Sequence, residues 1–149
     1  MASTVSQNAT NSVSFKTTIL SGVIAGLVGG LVFGMMMAMM SMLPMVAMLI
    51  GSDNVVVGFM VHMVISAVIG ASYGFIAPRL PSSWMMTIGA GIVYGVIWWV
   101  LGALVIMPLA LGMGQMVLQI GDMQWLSLMG HIIFGVIMAA VYKWQVNRN

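Results

Sequence analysis

The residues of this chain best suited to chemistry are its two histidines, each of which lies within an apolar stretch of membrane-spanning length. Each histidine comes nine residues after an aspartate and eleven before a tyrosine, in the triplets Asp53, His62, Tyr73 and Asp122, His131, Tyr142. Two neutral imidazoles at one depth could ligate a haem iron from opposite sides, as they do in membrane b-type cytochromes. His62 and His131 therefore form a candidate haem site.

Small residues one helical turn from each histidine would leave room for a flat macrocycle, and Ser66 and Gly135 belong to this predicted haem b site. A quinone or a pigment held between the same helices is an alternative ligand. Haem propionates usually pair with Arg or Lys. The connections that precede the two histidine helices contain only Asp53 and Asp122 as charged residues. The alternative to any ligand is that each histidine hydrogen-bonds a neighbouring helix, as buried polar groups in membranes do.

Methionine is the second residue type that could bind a ligand. The chain has 19 methionines, and eight of them fall within the fourteen positions from Met35 to Met48. Thioether sulfur is a good ligand for Cu(I), and Met35, Met39 and Met42 would share one face of a helix. These three residues form a candidate copper site, and a small copper transporter or channel is a rival function. The alternative is that methionine fills irregular apolar contacts, for which its flexible side chain is well suited.

The composition requires an integral membrane protein. Apolar residues make up 62% of the 149 residues and charged residues 4%, too few to cover a water-soluble globule. Runs of about 20 apolar residues without alternation predict helices that cross the bilayer. Four runs qualify, at about 17–43, 55–77, 84–107 and 125–144, and a polar tail, 1–16, precedes them.

The charged residues predict the orientation of the chain. The four basic residues fall on one side of the predicted membrane: Lys16, Arg79, Lys143 and Arg148. By the positive-inside rule, both termini are cytoplasmic in a multi-pass protein of the inner cell membrane. Asp53 and Asp122 fall in the two outer connections, where we expect them to cap the following helices. The basic residues form no patch, so no nucleic-acid partner is expected.

The order of these segments predicts an all-α fold, a polytopic four-helix bundle built from two tandem helical hairpins, 17–78 and 84–144. Because each copy contains two spans, the copies have the same orientation, and the two histidines should lie at one depth. Small residues every fourth position, such as Gly22, Gly26 and Gly30, predict close helix packing in lipid. Aromatic residues near the predicted ends should anchor the helices at the membrane interface: Tyr73, Trp84, Trp125, Tyr142 and Trp144.

The two histidine helices also carry a family resemblance. The stretches 62–74 and 130–142 resemble segments of small uncharacterised prokaryotic membrane proteins, in which an apolar helix contains a His, spaced small residues and a Tyr. The second stretch is followed by Lys143, where the first copy has Gly74. The resemblance implies a prokaryotic source and a four-span protein, and it implies no activity.

Taken together, these patterns favour a non-catalytic membrane subunit over an enzyme. The chain contains no glutamate and no cysteine, and no charged residue lies inside a span, so residues for hydrolysis or ion coupling are missing. We expect a subunit that packs in the lipid bilayer, either beside other membrane subunits or as a homo-oligomer. Its function would depend on helix packing and on any ligand held between the histidines.

Overall fold

The computed structural model describes residues 14–148 and confirms an all-helical protein with four apolar helices long enough to cross a membrane. The α-helices are α1 (Phe15–Met39), α2 (Leu43–Ala47), α3 (Val55–Ile76), α4 (Trp84–Trp98), α5 (Met107–Ala110) and α6 (Asp122–Val146). A π-helical segment (Trp99–Ile106) joins α4 to α5, and short 3-10 turns lie at Met48–Ile50, Ala77–Arg79 and Gly114–Met116. The predicted tail lies almost entirely outside the described residues.

The first membrane helix ends four residues earlier than predicted, and the cause is Pro44. In a continuous helix the proline ring would clash with the carbonyl of Met40, one turn earlier. The chain instead leaves α1 at Met39, passes through Ser41 at φ 56°, and starts α2 with Pro44 in the first turn. Leu43 in α2 is almost fully buried and lies against Gly58 of α3. The segment after Pro44 is therefore a new helix that packs back on the bundle.

Pro108 has a different effect, because the third membrane helix runs through it as far as Ala110. The widened π-helical turns that precede Pro108 change the backbone hydrogen-bonding pattern, and the N–H of Met107 bonds to the carbonyl of Gly102, five residues earlier. The helix then stops at Gly112, which adopts φ 71°. An irregular connection follows as far as α6.

The four long helices pack in the spatial order α3, α1, α6, α4. Glycines at the α1–α3 contact bring the two backbones together, since a Cβ on Gly22 would overlap the carbonyl oxygen of Gly70. The α4–α6 contact is built in the same way, and a Cβ on Gly135 would overlap the carbonyl oxygen of Gly91. Such close approach replaces the hydrophobic driving force that helices lack in lipid.

The two hairpins differ in register by one helical turn. Gly22 lies against Gly70 and Gly74 in the first hairpin. Residues 69 positions later in the chain are Gly91, Ala139 and Lys143. Gly91 instead contacts Gly135 and Ala139, and Gly135 lies one turn before Ala139, the position that matches Gly70.

Lys143 lies at the position that matches Gly74 of the first hairpin, and its side chain contacts α4 in a different way. The ammonium of Lys143 instead donates hydrogen bonds to the Ser82 carbonyl and to the Thr87 hydroxyl, so it fixes the start of α4 beside the end of α6. The common glycine packing is consistent with the tandem-repeat interpretation, which stays a prediction.

Two of the predictions for residues at the helix ends are wrong. Asn54, and not Asp53, caps α3, because its side-chain oxygen accepts hydrogen bonds from Val56 N at 2.8 Å and Val57 N at 3.3 Å. Tyr73 and Tyr142 are 2% and 6% exposed, so they belong to the core and do not anchor the protein at the interface. The sequence places them near helix ends, but their rings point inward between α3 and α6. Asp122 does not cap α6 either, because Gly121 is the N-cap and Asp122 is the first residue of the helix, where its carboxylate still faces the positive end of the helix dipole.

Candidate functional site

The two histidines meet at one phenylalanine in the core. The ring of Phe33, on α1, packs against His62 with centroids 5.3 Å apart and against His131 with centroids 4.8 Å apart. The helices allow this because Gly34 faces His62 and Gly130 faces Phe33 without side chains of their own. Contact with the same ring is the arrangement expected for two histidines at one depth.

His62 is fixed by a hydrogen bond between helices. Its Nε2 lies 2.9 Å from the carbonyl oxygen of Gly30 on α1, and the Ser66 hydroxyl lies 3.5 Å from the same nitrogen. A carbonyl oxygen can only accept, so we assign the proton of the ring to Nε2. In the neutral imidazole, which an apolar interior favours, Nδ1 then keeps its lone pair.

His131 is fixed by its own helix. Its Nδ1 lies 2.8 Å from the carbonyl oxygen of Ser127, one turn earlier, so the proton is assigned to Nδ1. The Ser127 hydroxyl lies 3.4 Å from the same nitrogen. The lone pair of the neutral ring is therefore on Nε2. Each histidine thus has one nitrogen held by a backbone carbonyl and one nitrogen that can accept a hydrogen bond or bind a metal, an arrangement typical of histidine ligands.

Both rings line one cavity of about 230 Å³ between α3, the α4–π segment and α6. Within residues 14–148, every buried side-chain nitrogen or oxygen has a hydrogen-bond partner. The two ring nitrogens without a bond therefore reach accessible surface, and both histidines line this cavity. Ser66 lines the cavity beside His62, as predicted. Gly135 does not, because it packs against Gly91 and Gly95 of α4.

The cavity does not fit a haem. Its volume lies below the range of about 300–1,000 Å³ that is usual for sites of drug-sized ligands. An iron ligated by both histidines would also have to displace Phe33, which both imidazoles contact and which is 4% exposed. The basic groups that propionates usually require are at the other end of the bundle. The sequence analysis had already placed only Asp53 and Asp122 at the end nearest the histidines.

The three methionines of the candidate copper site do not share one face of a helix, because α1 ends at Met39. On the outer surface of α1, Met35 is 50% exposed and Met39 is 79% exposed. Met42 follows the end of that helix and packs against the core. Met37 and Met107 do line the histidine cavity. In the described part of the chain, no three residues among His, Cys, Asp and Glu are grouped so that they could hold a metal.

Phe33, Trp98 and Met37 are the site residues that the sequence analysis missed. All three line the cavity. One signal was available, since Phe33 is the aromatic residue that adjoins the Gly26, Gly30 and Gly34 stripe of α1. Met37 lies one turn after Phe33 and so shares its face. No pattern singled out Trp98, because its position depends on how α4 packs.

Comparison with known proteins gives no further information on this site. No protein-family model, curated protein or solved structure matches the chain.

Proposed function

We propose that this chain is a non-catalytic membrane subunit that holds a small ring ligand of the quinol class in the cavity lined by His62 and His131. The observation that carries the proposal is the pair of free imidazole nitrogens on one apolar cavity. Both nitrogens accept hydrogen bonds, so the preferred ligand has two donor groups on a compact, apolar frame. A quinol has a hydroxyl on each side of one ring and meets this requirement.

The same geometry favours the reduced form of the ligand. The oxygens of an oxidised quinone only accept hydrogen bonds, so they would face the two nitrogen lone pairs without a proton between them. Leaving buried acceptors without donors costs about 1–3 kcal/mol for each group. The site should therefore discriminate between a quinol and its quinone.

A ligand can reach the cavity from the surrounding lipid. Ile65 of α3 and Ile106 of the π-helical segment line the cavity and are both exposed on the outside of the bundle. Four apolar helices fit an integral membrane protein, and their exposed apolar side chains suit contact with lipid, with other subunits or with a second copy. The basic residues at one end support the proposed orientation, with both termini in the cytoplasm.

Ligand binding in nanodiscs tests the proposal. A short-chain benzoquinol, kept reduced, should bind the purified protein, and the oxidised quinone should bind more weakly. His62→Leu and His131→Leu should each weaken quinol binding about five- to tenfold, the effect of one lost hydrogen bond. Val64→Leu is the matched control, since Val64 is exposed on the same helix and does not line the cavity. Equal binding of quinol and quinone, or unchanged binding by both histidine variants, would overturn the proposal.

Copper is the second candidate ligand, and one observation favours it. Met37 and Met107 line the same cavity as the two histidines, so two thioethers and two imidazoles surround it. Soft sulfur together with imidazole suits Cu(I), and a transporter or channel for copper would use such a site. Competition with a Cu(I) chelator would decide: Met37→Leu should weaken Cu(I) binding, whereas Met39→Leu should not. Equal effects of the two variants would remove this candidate.

A further inference from the structure

A second cavity lies at the opposite end of the bundle from the histidines, where α1 and α4 begin and α3 and α6 end. We call it the basic-end cavity. It has a volume of about 660 Å³, and Arg79 and Lys143 line it together with Tyr73 and Tyr142. Both acidic residues of the chain, Asp53 and Asp122, lie at the other end of the bundle. The cavity therefore combines two cations with no carboxylate side chain nearby.

The two cations keep hydrogen-bond donors for a ligand. Lys143 donates to the Ser82 carbonyl and the Thr87 hydroxyl, which leaves one of its three N–H groups. Arg79 donates one N–H to the Phe75 carbonyl, out of five. Each cation also lies over an aromatic ring, Arg79 at 4.5 Å from the centroid of Phe75 and Lys143 at 4.8 Å from that of Trp84. These contacts hold both cations at the cavity wall.

The two tyrosines add neutral donors. Their rings are almost fully buried, and neither hydroxyl has a hydrogen bond within the described residues. Because no buried side-chain oxygen there lacks a partner, both hydroxyls reach accessible surface, and both tyrosines line the basic-end cavity. Tyr73 and Tyr142 thus line the same space as the two cations and can supply O–H donors to a ligand there.

An apolar groove leads away from this cavity along the outside of the bundle. It has a volume of about 830 Å³, lies between α3 and α4, and shares Tyr73, Leu80 and Pro81 with the basic-end cavity. Its other walls are mainly apolar, and include Ile76, Met85 and Val93. A molecule with an anionic head and an apolar chain could therefore occupy both spaces at once.

We infer that this chain binds an anionic phospholipid, with the phosphate in the basic-end cavity and an acyl chain in the α3–α4 groove. Charge complementarity selects the head group, since Arg79 and Lys143 have no acidic neighbour at this end. Basic pockets between membrane helices commonly bind anionic lipid head groups in this way. The site shares neither histidine with the proposed quinol site, so each can be tested without the other.

Native mass spectrometry in detergent measures the inferred binding directly. The protein should bind phosphatidylglycerol more tightly than phosphatidylcholine, and Arg79→Gln/Lys143→Gln should weaken phosphatidylglycerol binding about thirtyfold. Lys16→Gln/Arg148→Gln is the matched control, because it removes the same charge from the same end without touching the cavity. Since Lys143 also joins α4 to α6, Arg79→Gln alone provides a variant that keeps this contact between helices, and about fivefold weakening is expected.

Two further measurements distinguish a site for a whole phospholipid from a site for a soluble phosphate compound. Soluble glycerol phosphate should not displace phosphatidylglycerol at equal concentration, since it lacks the acyl chain that the groove would hold. Tyr73→Phe/Tyr142→Phe should weaken phosphatidylglycerol binding, because it removes two O–H donors from the lining of the basic-end cavity. Equal loss in the two double glutamine variants would show that only general charge attracts the lipid, and would overturn the inference. Full displacement by glycerol phosphate would also overturn it, in favour of a soluble phosphate ligand.

Discussion

The rings of Tyr73 and Tyr142 meet edge to face in the core, with centroids 5.5 Å apart and planes at 89°. They are the equivalent tyrosines of the two histidine triplets, and each lies eleven residues, or about three helical turns, after its histidine. The tyrosine pair therefore makes a contact between α3 and α6 across the interior of the bundle. Both tyrosines line the basic-end cavity and neither lines the histidine cavity, so the two cavities differ in their chemistry.

Close contact at Gly70 should make the α1–α3 interface intolerant of any side chain. Gly70→Ala would place a Cβ onto the carbonyl oxygen of Gly22, and backbone cannot yield as a flexible side chain can. We expect a loss of about 1–3 kcal/mol in the free energy of unfolding, the usual cost of overpacking. Unfolding in mixed micelles with increasing SDS measures it. Gly89→Ala is the control, since a Cβ there meets nothing within 4 Å. Equal losses in both variants would contradict the interface.

The two histidines should contribute unequally to stability. His62 bonds to Gly30 of another helix, whereas His131 bonds to Ser127 of its own helix and keeps that bond when the bundle separates. His62→Leu should therefore cost about 0.6–1.7 kcal/mol, the range for hydrogen bonds between membrane helices. His131→Leu should cost less. The same SDS titration without added ligand tests this difference, and a larger loss for His131→Leu would refute the assignment of these bonds.

Tyr94 should hold α3 and α4 together. Its hydroxyl lies 2.6 Å from the Ser72 hydroxyl and 3.2 Å from the Ile69 carbonyl, and in residues 14–148 these are the hydrogen bonds between the two helices. Tyr94→Phe should lower the free energy of unfolding by about 0.5–1.5 kcal/mol. Ser72→Ala should cost less, because Tyr94 can still donate to Ile69. Hydrogen exchange should rise in α4 of Tyr94→Phe, and unchanged exchange there would contradict the proposed role.

The orientation predicted from the basic residues can be tested with single cysteines, since the chain has none of its own. Ser52 and Ser82 lie at opposite ends of the bundle. In intact cells a membrane-impermeant maleimide should label Ser52→Cys but not Ser82→Cys, and both should label once the membrane is opened. Labelling of both variants from outside would contradict the topology, and labelling of Ser82→Cys alone would reverse it.

The sequence predicted the four membrane helices because the bilayer acts on each span separately. A run of about 20 apolar residues is enough to require a helix in lipid, whatever its neighbours do. Val55 and Trp84 were accordingly placed correctly as the starts of two helices. The glycine stripes also predicted close contact, because a missing side chain is visible in the sequence. Which glycines face each other was not visible, and the register shift at Lys143 appeared only in the packed bundle.

The candidate site was likewise predicted in part from the sequence and decided in part by the tertiary structure. The sequence identified His62 and His131 because polar residues are rare in apolar spans and their spacing repeats. Only the tertiary structure placed Phe33 between α3 and α6, turned Tyr73 and Tyr142 inward, and separated Met42 from the helix of Met35 and Met39. Each of these outcomes depends on the rotation and register of one helix against another. Those quantities are set by side-chain packing between segments far apart in the chain, and no single helix contains that information.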